Sequence, residues 1–344
     1  MSKSVAVSDD AGSTYSTLPG NAGELNNEAG TMDDTIFGQT FQSNESGLIN
    51  WGVNAQAFYK GFAGYQAKLK KQGTSTTMTT EAMTLVAGKT YKITAATKNI
   101  WDPAGVFTVF DGGVDHTADV LSINYLFGQV TFKAAYTPTG AITVTGKYFT
   151  TVALGNAQAF TLTQTAEAVD NSAFDTVQAN GGYRIFTSGL RTVGLELSGF
   201  YNITAAYRAA LQSRSTIIIE IDPAGTGASV ARGFFKPVTD NQNGDVGALE
   251  EETISFVLQV PSTDYLPFSW DHTSGTTLHA SIKKVITAWL TQVPIMVKYL
   301  YDGTNGVSGN AIVTNMSLSS GLDKMNEFAL EFQGTGVQTT VGTG

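Results

Sequence analysis

Residues 216–221 (TIIIEI), 231–235 (ARGFF) and 253–259 (TISFVLQ) are the segments from which the fold is predicted. They are rich in β-branched and aromatic residues, the composition typical of strands. A Gly-rich turn joins the first two segments, and a polar loop at residues 244–252 (GDVGALEEE) precedes the third. A short amphipathic helix is predicted before them, with Asn202 or Thr204 as its N-cap. Together these segments predict one helix packed on a β-sheet.

The same order of elements is predicted again near the C-terminus. A helix at residues 278–291 precedes strands at 295–299 (IMVKY), 311–313 (AIV) and 327–333 (EFALEFQ). Five residues of the first copy recur 74 positions later: Gly247, Ile254, Phe256, Leu258 and Gln259 match Gly321, Phe328, Leu330, Phe332 and Gln333. Self-similarity at a fixed offset indicates repetition. Because only two copies are visible, the pattern predicts a duplicated unit rather than a solenoid.

The bulk composition agrees with a β-rich protein of two or three domains. The chain has 344 residues, 42% of them hydrophobic, which is enough to form a sizeable core. Its 37 Gly against 8 Pro favour short strands joined by tight turns. Cysteine is absent, which excludes disulfides and thiolate chemistry. We expect no secretory signal, because Asp9 and Asp10 come before any apolar core could form, and no membrane span, because no run approaches 18 apolar residues.

The net charge of −9 is concentrated at the N-terminus. Residues 1–50 contain seven acidic residues and one basic residue, Lys3, so the other 294 residues carry a net charge of only −3. Tight binding of nucleic-acid phosphates requires clustered Lys and Arg, and this balance argues against it. Repulsive passage of DNA past the protein remains open.

Four segments are predicted along the chain. Residues 1–45 are rich in Ser, Gly, Asn and Asp and predict a flexible N-terminal arm, or one that orders only against a partner. Residues 46–155 form a β-rich block with strands about every ten residues. Residues 156–261 and 262–344 are the two copies of the helix-and-sheet unit. The segment from Glu167 to Gly182 predicts a long loop, of the kind that often carries contacts.

No motif predicts catalysis or a cofactor. His272 and His279 lie near Asp271, but seven residues across a helix start is not the spacing that places two metal ligands on one helix face. The turn at 225–227 (GTG) leads into a strand, whereas a dinucleotide fingerprint leads into a helix. The acidic run at residues 250–252 cannot point one way on a strand, so it predicts a blocked edge or a partner contact. We expect no enzyme, no cofactor and no metal.

The order of β-sandwich, long loop, helix, strand, turn, strand, GDVGALEEE and final strand resembles the major tail tube protein of long-tailed (siphovirus-type) bacteriophages. The resemblance covers residues 160–260 best and residues 268–334 more weakly, as in tube proteins with two tube folds on one chain. It implies a mainly β fold of two sandwich or barrel units, each with one packed helix, plus the N-terminal arm. Residues 74–148 are either the front half of the first tube fold or an added outer domain.

The resemblance also implies a structural function. A duplicated chain would form a trimeric ring with pseudo-sixfold symmetry, and rings would stack into a tube around a channel for DNA. Other tail proteins would bind the tube ends, and the protein would be made in the host cytoplasm and reside in the virion. The implied inter-subunit loop contains Glu167, Asp170, Phe174 and Asp175, and the implied edge or ring contacts are Asp245, Glu250, Glu251 and Glu252.

Two other readings remain. The chain could be another virion β-protein, such as a capsid decoration or an adhesin-like binding module, which would bind capsids or glycans without stacking on itself. A hydrolase that uses His272 and Asp271 is the third hypothesis, and it lacks the G-x-S-x-G turn of one common hydrolase class.

Overall fold

The computed structural model describes residues 3–20, 22–36, 42–154, 157–200, 205–243, 251–260, 266–272 and 278–342. It is mainly β, with antiparallel pairing of the strands, and this confirms the predicted fold class. The chain divides into two compact units. The first unit comprises residues 1–65, 159–195 and 275–344, and the second comprises residues 66–158 and 196–274. Each unit therefore combines separate stretches of chain, whereas the sequence predicted consecutive blocks.

The elements follow one another in this order. The first half contains β1 Ser4–Ser8, β2 Ser16–Thr17, β3 Ala22–Asp33, β4 Asn44–Ala63, β5 Lys68–Ala87, β6 Thr90–Ile93, β7 Thr108–Asp111, β8 Val114–Asp115, β9 Val120–Asn124, β10 Gln129–Phe132, β11 Ile142–Ala153 and β12 Ala157–Asp170. The second half contains α1 Phe174–Ala179, β13 Phe186–Phe200, α2 Ala205–Ser213, β14 Ile217–Asp222, β15 Val230–Asn243, β16 Glu251–Leu258, β17 Phe268–Asp271, α3 Ala280–Thr291, β18 Ile295–Leu300, β19 Gly306–Gly321, β20 Met325–Gly334 and β21 Thr339–Val341.

The long strand β19 organises the first unit. Along one edge it pairs with β18 and then β12, and along the other with β21 and then β20. The sheet continues from β20 to β4 and β3, and from β18 to β1 and β2. Helix α3 packs against β1, β2 and β19. Its buried stripe includes the predicted Ile282, Val285, Ile286 and Trp289.

Strand β15 has the same place in the second unit. It pairs with β14 along one edge, and with β17 and then β16 along the other. Helix α2 packs against it, and β14 continues the sheet to β5. The predicted helix caps Asn202 and Thr204 lie outside the described residues.

The two central hairpins, β15/β16 and β19/β20, have the same register at an offset of 76 residues. Phe235 faces Leu258 in one hairpin, and Ala311 faces Gly334 in the other. A bulge follows at the matching point in each, between residues 237 and 239 and between residues 313 and 315. The duplication is therefore real, but the predicted offset of 74 for this hairpin is wrong by two. Since side chains on a strand alternate with period two, a slip of two keeps every apolar residue on the same face and goes unnoticed in sequence.

The block between residues 74 and 148 forms a small β-sandwich with its own core inside the second unit. Buried residues from five strands and their connections meet there: Met78, Met83, Ile93, Trp101, Phe107, Val109, Val130, Phe132, Ile142 and Val144. A second cluster packs Phe127 against Phe234 of β15. Arg232 of β15 donates to the Leu126 carbonyl at 2.7 Å, and its guanidinium lies 4.7 Å from the Phe127 ring centroid. The block is therefore anchored on the β14/β15 hairpin.

The N-terminal segment is not the flexible arm that the sequence predicted. Strand β1 pairs with β18 in the order Ser4↔Leu300 to Ser8↔Met296, and its Val5, Ala6 and Val7 are buried. Asp9, just beyond the strand, forms an ion pair with Lys284 of α3 at 2.7 Å. Five residues of alternating small and apolar character suffice because they extend an existing sheet instead of forming one. The polar composition of the following forty residues concealed this strand.

Arg191 connects strand β13 to the end of α3. It donates to the Trp289 carbonyl at 3.1 Å and the Leu290 carbonyl at 2.6 Å, and lies 5.2 Å from the Trp289 ring centroid. These carbonyls belong to the last turn of the helix, which has no partner for them within the helix. Partial burial lowers the pKa of Arg191.

We expect Arg191→Ala to lower the free energy of unfolding by about 1–3 kcal/mol, because the helix end loses two charged donors and a cation–π contact. Urea unfolding followed by circular dichroism measures this. Arg184→Ala is the matched control, since its exposed ion pair contributes about 1 kcal/mol or less. Equal midpoints for the wild type and the Arg191 variant would contradict the assignment.

Candidate assembly surfaces

Strands β12 and β13 form a hairpin whose connection carries the predicted inter-subunit loop. The Asn171 N–H donates to the Ile185 carbonyl at 2.8 Å, and the hydroxyls of Thr165 and Thr192 lie 2.6 Å apart across the strands. The sequence predicted a loop from Glu167 to Gly182. The structure extends β12 to Asp170 and places the short helix α1 in the connection.

The base of this loop is fixed. Ile49 of β4 donates to the Gly182 carbonyl and accepts from the Arg184 N–H, each at 2.9 Å. Gly336 donates to the Arg184 carbonyl at 2.9 Å. The loop tip is therefore presented from an anchored base within the first unit.

The four predicted loop residues have two different roles. Asp170 forms an ion pair with Arg184 at 2.8 Å and accepts from the Ser172 N–H at 2.9 Å, so it orders the loop. Glu167 and Asp175 are exposed. Phe174 is 97% exposed, the highest value among the large hydrophobic residues of the described chain. A contact of Phe174 with another subunit stays a prediction.

The predicted edge contacts have different outcomes. Asp245 and Glu250 lie outside the described residues. Glu251 is exposed at the start of β16, where a contact with another subunit stays a prediction. Glu252 is buried and lies 3.4 Å from Arg208 of α2, which also pairs with Asp240 at 3.2 Å. The Glu252 carboxylate therefore makes its contact within the second unit, because the alternation of side chains along the strand turns it toward helix α2.

One face of the first unit's sheet is polar, and most of its described charged side chains are acidic. A single row across it joins Thr165, Asn315, Glu331, Asn54 and Glu24, each paired with the next. The neighbouring rows supply further Asn, Gln, Ser and Thr residues. The acidic residues on this face include Glu24, Glu28, Glu167, Glu327 and Glu331, and Lys298 of β18, opposite Ser308, is a basic residue on the same face.

A second duplication escaped the sequence analysis: the hairpin β3/β4 repeats the hairpin β12/β13. Residues 51–59 (WGVNAQAFY) match residues 193–201 (VGLELSGFY) at an offset of 142. Residues 51, 53, 55 and 57 are buried, and so are 193, 195, 197 and 199. This alternation over nine residues, with Gly, Phe and Tyr at matching positions, is the signal that could have revealed the repeat.

The first strands of these hairpins also match, at an offset of 137. Leu25, Ala29 and Asp33 correspond to Leu162, Ala166 and Asp170. Each aspartate ends its strand in the same turn: Asp33 accepts from the Thr35 N–H, and Asp170 from the Ser172 N–H, both at 2.9 Å. The change of offset from 137 to 142 reflects a longer connection in the second hairpin, which is why the repeat is not visible at one fixed spacing.

The histidines do not converge on a reactive centre in the described chain. His279 caps α3 by accepting from the Ser281 N–H, and His272 is buried with its Nδ1 3.3 Å from the Trp270 carbonyl. Asp271 forms an ion pair with Lys92 at 2.5 Å. Among the described residues, no three His, Asp or Glu side chains are grouped as metal ligands. Within the same residues, every helix is too short or too polar to span a bilayer.

The comparisons with known proteins give a distant structural likeness. No protein-family model matches the chain, and no curated protein matches it. Among solved structures, a chain of the virion of a native gene transfer agent particle is similar with 14% sequence identity and a TM-score of 0.29. The match covers 35% of this chain and 88% of that chain. A likeness of this degree leaves the role to be argued from the residues themselves.

The turns at Asp33 and Asp170 match, so we expect the pKa values of the two carboxyl groups to shift in the same direction. The Thr35 hydroxyl and then its N–H lower the pKa of Asp33, and the Ser172 hydroxyl, then its N–H and Arg184, lower that of Asp170. Both carboxyl groups should therefore titrate below the ordinary 3.8 in an NMR pH titration. Any stability from these contacts is present above the ordinary pKa and is lost as pH falls through the lowered one.

Replacing Ser172 by Ala should raise the midpoint of Asp170 and leave that of Asp33 unchanged. Unaltered titration of Asp170 in this variant would show that Ser172 does not hold its carboxylate.

Proposed function

We propose that this chain is the structural subunit of a phage tail tube, which assembles with itself into stacked rings around a channel for DNA. Three chains, each with two units of the same strand arrangement, would give a ring with pseudo-sixfold symmetry. The protein would reside in the virion, contact other tail proteins at the tube ends, and act without a cofactor or a catalytic step.

The polar, mainly acidic face of the first unit is the observation that carries the proposal. DNA carries one negative charge per about 1.7 Å of helix axis, and Lys and Arg would bind it by releasing counterions. A wall made mainly of Ser, Thr, Asn, Gln and Glu offers few such binding sites and leaves a hydrated, weakly repulsive surface. In the hairpin of the second unit, Thr239 and Asn241 face Ser255 and Thr253, and Lys236 faces Val257 on the same side. DNA would slide past such a lining without being held.

The loop at residues 171–185 is the proposed contact between successive rings. Its anchored base limits the entropy lost on docking, and Phe174 supplies the apolar area that a stable contact needs. Asp175 beside it adds a charge that selects the orientation of the partner surface.

Electron microscopy of the purified protein tests the assembly directly. We expect rings or tubes with a central hole and threefold symmetry that approximates sixfold. Monomers alone at high concentration would contradict the proposal. Binding to intact capsids or to glycans without self-association would instead favour a decoration or adhesin role.

We expect Phe174→Ser to raise the concentration needed for tube formation by about 10- to 100-fold, since burying a Phe side chain contributes about 1.5–3 kcal/mol. Light scattering against protein concentration measures this, and rings should persist. Val106→Ser is the matched control, because Val106 is 86% exposed but lies outside the loop. If the two substitutions changed the concentration needed for tube formation equally, the loop would not be the contact between rings.

A further inference from the structure

The strand edges that lack a partner in the described chain include one edge of β3 and one edge at the end of β15. Strand β3 pairs with β4 alone. Strand β15 pairs with β14 only up to Phe235 along one edge, so the same edge at residues 239–243 is uncovered. Each uncovered edge presents backbone N–H and C=O groups that require hydrogen bonds.

The first unit shows what covers the matching edge. At the offset of 76, residues 239–243 of β15 correspond to residues 315–319 of β19. That stretch of β19 pairs with β12, as Thr165↔Asn315, Thr163↔Ser317 and Thr161↔Ser319. Strand β12 is the first strand of a hairpin that β3/β4 repeats. In the first unit, a hairpin strand therefore covers this edge of β19. In the second unit, the corresponding edge of β15 has no covering strand in the described chain.

We infer that β3 of a second copy of this chain adds to the open edge of β15, in the antiparallel register that β12 uses on β19. The two offsets fix that register: Glu28 faces Thr239, Asn26 faces Asn241, and Leu25 faces Gln242. The inference rests on the proposed self-assembly, and it names the strands and residues that would join neighbouring subunits.

Burial of the matching positions supports the pairing. Phe160, Leu162, Gln164 and Ala166 of β12 are all buried. Their counterparts on β3 are Gly23, Leu25, Asn27 and Ala29, of which Asn27 and Ala29 are exposed and the other two half-buried. The same hairpin strand is thus covered where it has a neighbour and uncovered where it has none.

A buried carboxylate oxygen supplies the second, independent observation. The Asp240 side chain is nine-tenths buried, and its Oδ2 accepts from Arg208, but no donor in the described chain reaches its Oδ1. The inferred register places Asn27 opposite Asp240. In the first unit the corresponding residue, Gln164, donates its amide to the Met316 carbonyl at 3.3 Å. The Asn27 amide would satisfy the Asp240 oxygen in the same way.

Cysteine crosslinking tests the register, because the chain has no native cysteine. Single variants Asn26→Cys and Asn241→Cys are mixed and treated with a short bismaleimide; directly opposed residues have Cβ atoms about 4.5–5.5 Å apart. We expect dimers that contain one of each variant, and a ladder of multimers from the double variant. The control pair, Asn26→Cys with Gln242→Cys, places the thiols on opposite sheet faces and should crosslink at least about tenfold less. Equal crosslinking of both pairs would overturn the register.

Charge substitution tests the Asp240 contact. Asn27→Asp would place a second carboxylate against Asp240 and should raise the assembly concentration by at least about tenfold, since like charges directly opposed are destabilising. Asn26→Asp carries the same charge change on the other face of β3 and should have a smaller effect. Sedimentation velocity measures assembly, and circular dichroism checks that both variants fold. A larger effect of Asn26→Asp would overturn the contact.

The outcomes separate this inference from the proposed function. Rings with a channel but no Asn26–Asn241 crosslink would leave the tube intact and refute the strand pairing. Crosslinked open filaments without a channel would support the pairing and refute the tube.

Discussion

The hydrogen bonds of β-strand edges are the constraint on which this structure depends. Within a sheet each backbone N–H and C=O has a partner across the strands, and an edge strand leaves every second pair unsatisfied. Natural proteins usually protect such edges with bulges, prolines, charges or a covering element. Here β1 covers β18 and β12 covers β19, yet β3 and the end of β15 are left without a covering strand in the described chain. Their chemistry points to pairing between molecules.

Duplication explains why the open edges complement each other. The hairpins β15/β16 and β19/β20 repeat at an offset of 76 residues, with a bulge at the same point. The hairpins β3/β4 and β12/β13 also repeat, with matching strands and with an aspartate turn at the end of the first strand of each. The strand pairing that β12 makes with β19 within the chain can therefore form again, in the same register, between β3 of one chain and β15 of another. This is how closed symmetric assemblies arise from repeated units: the same pairing, applied in turn, either closes a ring or extends a filament.

The sequence predicted the elements well and their connections poorly. Helix α3 and strands β14, β16 and β18 lie within two residues of their predicted bounds, because their apolar periodicity is strong. The N-terminal strand β1 was missed since it completes a sheet formed elsewhere. The domain limits were predicted as consecutive blocks because local patterns do not reveal that residues 66–158 and 196–274 come together. The candidate loop was predicted from its length and polarity, whereas the β3 and β15 edges require knowledge of which strands pair.

Hydrogen exchange at two protein concentrations tests the central claim most directly, because it reports backbone hydrogen bonds residue by residue. The account predicts that every second amide in residues 23–28 and 239–243, the one that points away from the partner strand within the chain, exchanges rapidly in dilute protein and becomes protected on assembly. Amides of β12 and of residues 315–319 should be protected at both concentrations. Protection of the β3 and β15 edges in the monomer, or their rapid exchange in fully assembled protein, would contradict it.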